Sequence, residues 1–159
     1  MEWWLVTQYN LINITFQYSG AECQTQYCIY VQKVNGWGGI NFGFSSSFLA
    51  NAYKYVTLSV KLGQNSTFQN YNFTVGFDNC QNQSNIINVS NVWQHFMVDV
   101  STMNCTSYIK IFRLNFNPGD NIYVDNIYLS NGTNGNVNSN YGYLIKPISL
   151  ITIILIIFN

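Results

Sequence analysis

The stretch Tyr108–Leu129 reads YIKIFRLNFNPGDNIYVDNIYL. Its first half alternates between two sets of side chains, which is the period-two pattern of a half-buried strand. The turn residues Asn117-Pro118-Gly119-Asp120 follow, and Ile122–Leu129 continues as another apolar segment. The stretch therefore predicts two successive β-strands. One predicted face holds Tyr108, Lys110, Phe112, Leu114 and Phe116, and the other holds Ile109, Ile111 and Arg113.

The same alternation recurs upstream, and no stretch before the C-terminal tail shows a capped helical period. Seven to nine short strands separated by Asn/Gly/Ser loops predict an all-β domain, a β-sandwich or jelly roll. The clearest further strands are Ile40–Phe44, Val56–Leu62, Tyr71–Phe77 and Phe96–Val100; weaker ones are Ile12–Phe16, Cys28–Val34 and Ile86–Val89.

Most of the polar residues of the chain are uncharged. The chain has 159 residues, of which 48% are hydrophobic, 17% aromatic and 8% charged, with a formal net charge of zero. A typical soluble domain has about 25% charged residues. The absence of a basic excess argues against nucleic-acid binding, and a polar, neutral surface suits glycans.

Four cysteines are present, which fits two disulfides in an oxidising compartment. Three pairings are possible. We predict Cys23–Cys28 and Cys80–Cys105, because each pair closes one local loop. A zinc site is disfavoured by the spacing and by the lack of paired histidines.

The sequence contains seven Asn-X-Ser/Thr sequons, against about three or four expected by chance. They predict N-glycosylation at Asn13, Asn65, Asn72, Asn82, Asn88, Asn104 and Asn131. The segment Met1–Val6 has an acid, no basic region and no long apolar run, so it is not a signal peptide. We interpret the chain as a fragment or a misassigned gene start; the alternative is a protein that is not secreted.

The C-terminal part changes in composition. We predict a sandwich domain over 1–129, a polar linker over 130–147 and a hydrophobic tail over 148–159. The tail is shorter than the twenty or so residues that span a bilayer. Small residues, a spacer and an apolar end are typical of a lipid (GPI) attachment signal, with Asn134 or Asn138 as the attachment residue. The alternatives are a retained tail anchor and a final core strand.

Several segments resemble a known family. Trp93–Val100, Tyr108–Phe116 and Ile122–Leu129 look like the end of a galactose-binding-like jelly roll of the carbohydrate-binding-module kind. Gly36–Phe44 and Tyr55–Val60 are similar to that family's glycine-rich strand and the strand after it. The resemblance implies an opening strand whose acid joins an Asp of the last strand at a structural calcium. That opening strand is missing or reduced in the pattern, and Asp125 is the candidate calcium ligand.

Few residues are candidates for binding a ligand or for catalysis. Trp37, in the glycine-flanked turn Gly36–Gly39, either stacks on a sugar or folds back over the sandwich edge. Tyr71 is a candidate for lining a polar groove. His95 is expected at the surface, because Phe96 and Val98 face inward. The six acidic residues show no spacing of a glycosidase pair, so a non-enzyme is predicted.

These observations favour a non-catalytic carbohydrate-binding or adhesion module. We expect it at the extracellular face of the cell membrane, held by its tail or a lipid, with glycans or cell-surface and matrix glycoproteins as partners. The alternatives are a structural, glycosylated coat domain without a small ligand, and a gene fragment.

Overall fold

The computed structural model describes residues 3–9, 12–33, 37–64, 71–117, 121–131 and 143–144. Within these residues the chain forms strands joined by loops and two short 3-10 turns, at Ala50–Ala52 and Val100–Met103. The all-β prediction is confirmed. The strands are β1 (Trp3–Tyr9), β2 (Ile12–Tyr18), β3 (Cys28–Lys33), β4 (Gly38–Leu49), β5 (Tyr55–Leu62), β6 (Tyr71–Phe77), β7 (Ser84–Val89), β8 (Gln94–Asp99), β9 (Tyr108–Phe116), β10 (Ile122–Ser130) and β11 (Tyr143–Leu144).

Two antiparallel sheets form the sandwich. One has five strands in the order β1-β4-β9-β6-β7. The other has the order β2-β3-β10-β5-β8, with β11 pairing β10 as its sixth strand. β9 and β10 are successive in sequence but lie in different sheets.

The hydrophobic core lies between the two sheets. Alternate residues of β4, β6 and β9 supply much of it, as the period-two pattern requires. Phe112 is fully buried, and its ring centroid lies 5.7 Å from that of Phe42 and 5.4 Å from that of Phe77. Burying such a side chain contributes about 1.5–3 kcal/mol. The largest fully buried side chains are Phe42, Phe73, Phe112, Phe116, Ile40, Leu58, Leu62, Met103, Ile109, Leu114 and Ile122.

The N-terminal strands correct one expectation. The sequence pattern predicted a missing or reduced first strand, but β1 pairs with β4 from Trp3 to Tyr9. β2 likewise pairs with β3 at the edge of the other sheet. The sequence Trp3–Tyr9 lacks a clean alternation of apolar and polar residues, and its pairing partner lies more than thirty residues away. The local pattern therefore gives no signal for this strand.

A β-bulge corrects the face assignment at the start of β9. The Asp78 carboxylate accepts hydrogen bonds from the backbone N–H groups of Lys110 (2.9 Å) and Ile111 (2.8 Å). Two successive N–H groups thus point the same way. The pairing with β4 is also irregular here, since four residues of β4, 44–47, stand against Lys110 between the pairs Gly43–Ile111 and Phe48–Ile109. As a result Ile109 is buried, while Tyr108 and Lys110 are exposed.

Both predicted disulfides are confirmed: Cys23–Cys28 and Cys80–Cys105. The first ties the loop between β2 and β3, and the second joins the loop after β6 to the segment before β9. Such bonds, like the fold itself, are compatible with an extracellular location.

The predicted linker and tail fall largely outside the described residues. Asn134, Asn138 and the residues 148–159 belong to this part, so the lipid-attachment prediction is not tested. Within the predicted linker, Tyr143–Leu144 pairs with Tyr128–Leu129 of β10. In the described ranges, no helix has the length and apolar character needed to cross a membrane.

Candidate functional site

The outer side of the five-stranded sheet carries a set of polar side chains. In β4, β9 and β6 the core residues alternate with residues that point away from the core. These outward positions hold amides, a hydroxyl and one guanidinium, with glycines between them. We call the polar face the group Asn41, Thr74, Gln83, Arg113 and Asn115.

Strand register arranges the polar face in two rows. Arg113 of β9 pairs with Asn41 of β4 on one side and with Gly76 of β6 on the other. Asn115, two residues along, pairs with Gly39 and Thr74. Directly opposed residues are about 5 Å apart, so each row places two polar side chains from neighbouring strands side by side, with a glycine on the third strand.

Hydrogen bonds fix part of this face in place. The Asn115 Nδ2 donates to Thr74 Oγ1 (3.1 Å) and to Gln83 Oε1 (2.9 Å). The Thr74 hydroxyl also donates to Gln83 Oε1, at 2.8 Å. The Gln83 side chain reaches these groups by lying over Gly76, where an added Cβ would come within 3.0 Å of Gln83 Cγ. A larger residue at position 76 would make a tight contact here, so the Gln83 side chain would have to shift by a few tenths of an ångström.

Trp37 lies at one end of the polar face. It directly precedes β4, and continuing the alternation of that strand places it on the same side as Gly39 and Asn41. Its side chain is 50% exposed. The ring is thus accessible beside the polar rows, as the sugar-stacking interpretation of this residue expects.

Tyr71 does not line a groove, which corrects the prediction for this residue. Its ring is only 3% exposed and belongs to the core cluster. The hydroxyl donates to the backbone carbonyl of Asn117 at 2.6 Å. Tyr71 faces inward because it shares the inward side of β6 with Phe73 and Val75. Its role here is to join the start of β6 to the end of β9.

The outer side of the other sheet holds an aromatic cluster around Lys61. The rings of Tyr18, Tyr30 and Tyr123 contact one another with centroids 4.9–5.7 Å apart, and those of Tyr30 and Tyr123 are stacked. Lys61 forms an ion pair with Glu22, and its Nζ lies 5.6 Å from the ring centroid of Tyr123. The residues that carry polar groups here are thus already paired with one another.

Burial of this cluster alters the acidity of its phenols. Burial, followed by the effect of Tyr18, Tyr30 and Glu22, raises the pKa of Tyr123 to about 12. Burial also raises the pKa of Tyr30, with Tyr18 as the second cause. The loop between β2 and β3 covers the cluster, and the indole N–H of Trp93 donates to the Glu22 carbonyl at 3.0 Å. Trp93 therefore packs against this loop.

Asp125, the predicted calcium ligand, lies beneath the same loop and is 9% exposed. Its carboxylate accepts hydrogen bonds from Thr25 N (2.9 Å), Thr25 Oγ1 (2.9 Å) and Asn126 N (2.7 Å). No group of three or more His, Cys, Asp or Glu side chains that could hold a metal ion occurs in the described ranges. The N–H groups of Thr25 and Asn126 cannot ligate a cation, so a calcium ion on the same carboxylate oxygens would compete with them. Calcium at this residue stays a prediction of the family resemblance, against which these hydrogen bonds argue.

Two further sets of predicted residues are placed. His95 is exposed on β8, next to Ser59 of β5, as expected. The sequon asparagines in the described ranges are all exposed, and Asn65 lies outside those ranges. The exposed set is Asn13, Asn72, Asn82, Asn88, Asn104 and Asn131.

The chain is similar to known proteins in its structure. No family model and no curated protein matches the chain. Among solved structures, the family 11 carbohydrate-binding module from Clostridium thermocellum, in complex with a β-1,3-1,4-mixed-linked tetrasaccharide, matches with a TM-score of 0.59 and 12% identity, over 83% of this chain and 90% of that one. The fold is that of a carbohydrate-binding-module jelly roll.

Two larger proteins contain a domain similar to this jelly roll. An exo-β-agarase matches with a TM-score of 0.61 and 9% identity, over 81% of this chain but 24% of that one. The CBM22-1–GH10 modules of xylanase 10B from Clostridium thermocellum, complexed with xylohexaose, match with a TM-score of 0.58 and 9% identity, over 79% of this chain and 26% of that one. The family resemblance expected from the sequence is thus confirmed for the fold.

The sequence analysis singled out Trp37 but missed the polar face beside it. The alternation along the strand put Arg113 on the face away from Phe112 and Leu114, so the outward direction of its side chain could have been inferred. Its neighbours Asn41, Thr74 and Gln83 come from other strands, and no local pattern brings them together.

Proposed function

We propose that this chain is a non-catalytic carbohydrate-binding or adhesion module that holds a glycan on the polar face. The observation that carries the proposal is the half-exposed Trp37 ring at the end of rows of amide and guanidinium groups. Sugar sites combine an aromatic surface for the apolar C–H face of the ring with a few fixed polar groups for its hydroxyls. The distance along β4 from Trp37 to Asn41 is about 13 Å, enough for more than one sugar ring.

The composition of the polar face supports binding rather than hydrolysis. Glycosidases use two carboxyl groups that flank the scissile bond. None of the five residues of the polar face is an acid. The fold supports the same proposal, because similar structures include modules solved with bound oligosaccharides.

The binding proposal is tested by removing the Trp37 ring. Isothermal titration with mixed-linked β-glucan, xylan and galactan oligosaccharides, preceded by a glycan array, should show binding that weakens about tenfold or more in Trp37→Ala. Leu49→Ala is the matched control, because Leu49 is also 50% exposed and lies at the opposite end of β4. Equal loss in both variants, or none in Trp37→Ala, would remove Trp37 from the site.

We also propose that the module is displayed at the outer cell surface through a lipid attached near Asn134 or Asn138. The two disulfides and the fold are compatible with that location. Release of the protein from intact cells by a phosphatidylinositol-specific phospholipase tests the lipid. Retention after treatment, with release by detergent, favours a retained tail anchor.

A structural, glycosylated coat domain is the second candidate function, and the exposure of all the sequon asparagines in the described ranges favours it. Asn72 discriminates between the two. It lies on β6 two residues before Thr74, on the outward side of the strand, so a glycan there would crowd the polar face. The binding proposal expects glycopeptide mapping to find Asn72 unmodified, whereas Asn13, exposed on β2 of the other sheet, can carry a glycan without crowding the polar face. Full occupancy of Asn72 favours the coat domain.

A further inference from the structure

Arg113 occupies the centre of the polar face. It lies on β9, the middle strand of the five-stranded sheet, with β4 and β6 on either side. Its side chain is half-buried and is opposed by Asn41 and Gly76. A central strand is held by hydrogen bonds on both sides, so the guanidinium is presented from a fixed part of the backbone.

Arg113 forms no ion pair with an acidic side chain within the described ranges. The ion pair found there joins Lys61 to Glu22 instead. Asp78, two residues after Gly76, uses its Oδ1 to accept the N–H groups of Lys110 and Ile111. A half-buried charge loses hydration without gaining a counter-charge, which favours the binding of an external anion.

The neighbours of Arg113 add donors rather than charge. Gln83 Oε1 already accepts hydrogen bonds from Thr74 and Asn115, which leaves its Nε2 as the group that can donate outward. The guanidinium is a planar fork that matches a carboxylate with two parallel hydrogen bonds. A guanidinium beside an amide donor is therefore suited to bind a planar group with one negative charge, such as a carboxylate.

We propose that Arg113 binds the carboxylate of a uronate residue, so that the preferred glycan is acidic. This inference rests on the proposed carbohydrate-binding function and names its ligand class. The Trp37 ring then contacts the C–H face of a neighbouring sugar, and Arg113 selects the charged one.

The experiment compares acidic oligosaccharides with their neutral forms. Tetrasaccharides containing galacturonate, mannuronate or glucuronate are titrated calorimetrically into the full chain, each beside its methyl ester. We expect at least one to bind about tenfold or more tightly than its ester, because a charge-assisted bidentate pair is lost on esterification. Arg113→Gln should abolish that preference, so that the variant binds the acid and its ester with equal affinity.

Lys110→Gln is the matched control, since Lys110 is an exposed cation on the same strand. It should keep the preference for the acid, and Arg113→Lys should keep only part of it because the lysine lacks the fork. An unchanged melting temperature shows that each variant is folded.

Two results overturn the inference. One is a wild-type protein that binds acid and ester equally or binds neutral glycans alone, and the other is an Arg113→Gln variant that still prefers the acid. The proposed function survives both results, because a glycan is still bound. Failure of the chain to bind any acidic, esterified or neutral oligosaccharide overturns the function itself.

Discussion

Thr25 and Asp125 are joined by hydrogen bonds from both the backbone N–H and the hydroxyl of Thr25 to the Asp125 carboxylate, each 2.9 Å long. They connect the disulfide-tied loop after β2 to the middle of β10. Because donors already occupy this carboxylate, its negative charge is stabilised without a metal ion.

We therefore expect chelation of calcium to leave stability unchanged. The melting temperature with excess EDTA should equal that with millimolar calcium, and titration calorimetry should show no calcium binding at Asp125. A melting temperature that rises with calcium in the wild type, and not in Asp125→Asn, would contradict this expectation and establish the calcium site that the family resemblance implies.

The two disulfides should differ in their contribution to stability. Cys80–Cys105 closes a loop with a sequence separation of 25 and Cys23–Cys28 one of 5. In the chain-entropy description, the longer loop contributes about 3–4 kcal/mol and the shorter about 2 kcal/mol. Urea unfolding of the two paired Cys→Ser variants measures the difference. Equal losses in the two variants would show that effects within the folded state outweigh loop length.

Tyr123 should make stability fall in strongly alkaline solution. Burial raises the pKa of its phenol from the ordinary 10.0 to about 12 in the folded protein. Between these values the folded state binds more protons than the unfolded state, so the free energy of unfolding decreases as the pH rises. The contribution is complete below pH 10 and is lost as the pH approaches about 12.

Ionisation of Tyr123 should lower the free energy of unfolding by an amount on the order of 1–3 kcal/mol over this pH range. Denaturant titrations across this range should show a smaller slope in Tyr123→Phe, which removes the ionisable group. Tyr108→Phe is the control, because Tyr108 is 57% exposed. A slope that is unaffected by Tyr123→Phe would assign the alkaline loss to other groups.

Much of the fold was predictable because the strands alternate locally. Ile40–Phe44, Val56–Leu62 and Tyr71–Phe77 all pack their apolar set inward, as expected. The first strand was not predictable, since β1 is defined by its pairing with β4 rather than by its own pattern. Likewise, the bulge in β9 depends on Asp78, a residue some thirty positions earlier.

The candidate site was predictable only at its edge. Trp37 stood out because glycines flank it, and the exposure of its ring agrees with the interpretation that it stacks on a sugar. The side chains of Arg113, Asn115 and Gln83 meet through strand pairing and a contact over Gly76, which a single sequence does not reveal. Tyr71 was misplaced because an aromatic residue beside a polar loop has the same local pattern whether it faces inward or outward.

The bulge at the start of β9 gives the last prediction. Asp78→Ala leaves the N–H groups of Lys110 and Ile111 without their acceptor, and we expect the free energy of unfolding to fall by about 2–3 kcal/mol. Asp78→Asn keeps an oxygen at the same position and should lose less. Urea unfolding measures both changes, and amide hydrogen exchange should show faster exchange at Lys110 and Ile111 before Leu114 is affected. A loss below about 0.5 kcal/mol in Asp78→Ala would mean that strand pairing alone sets the bulge.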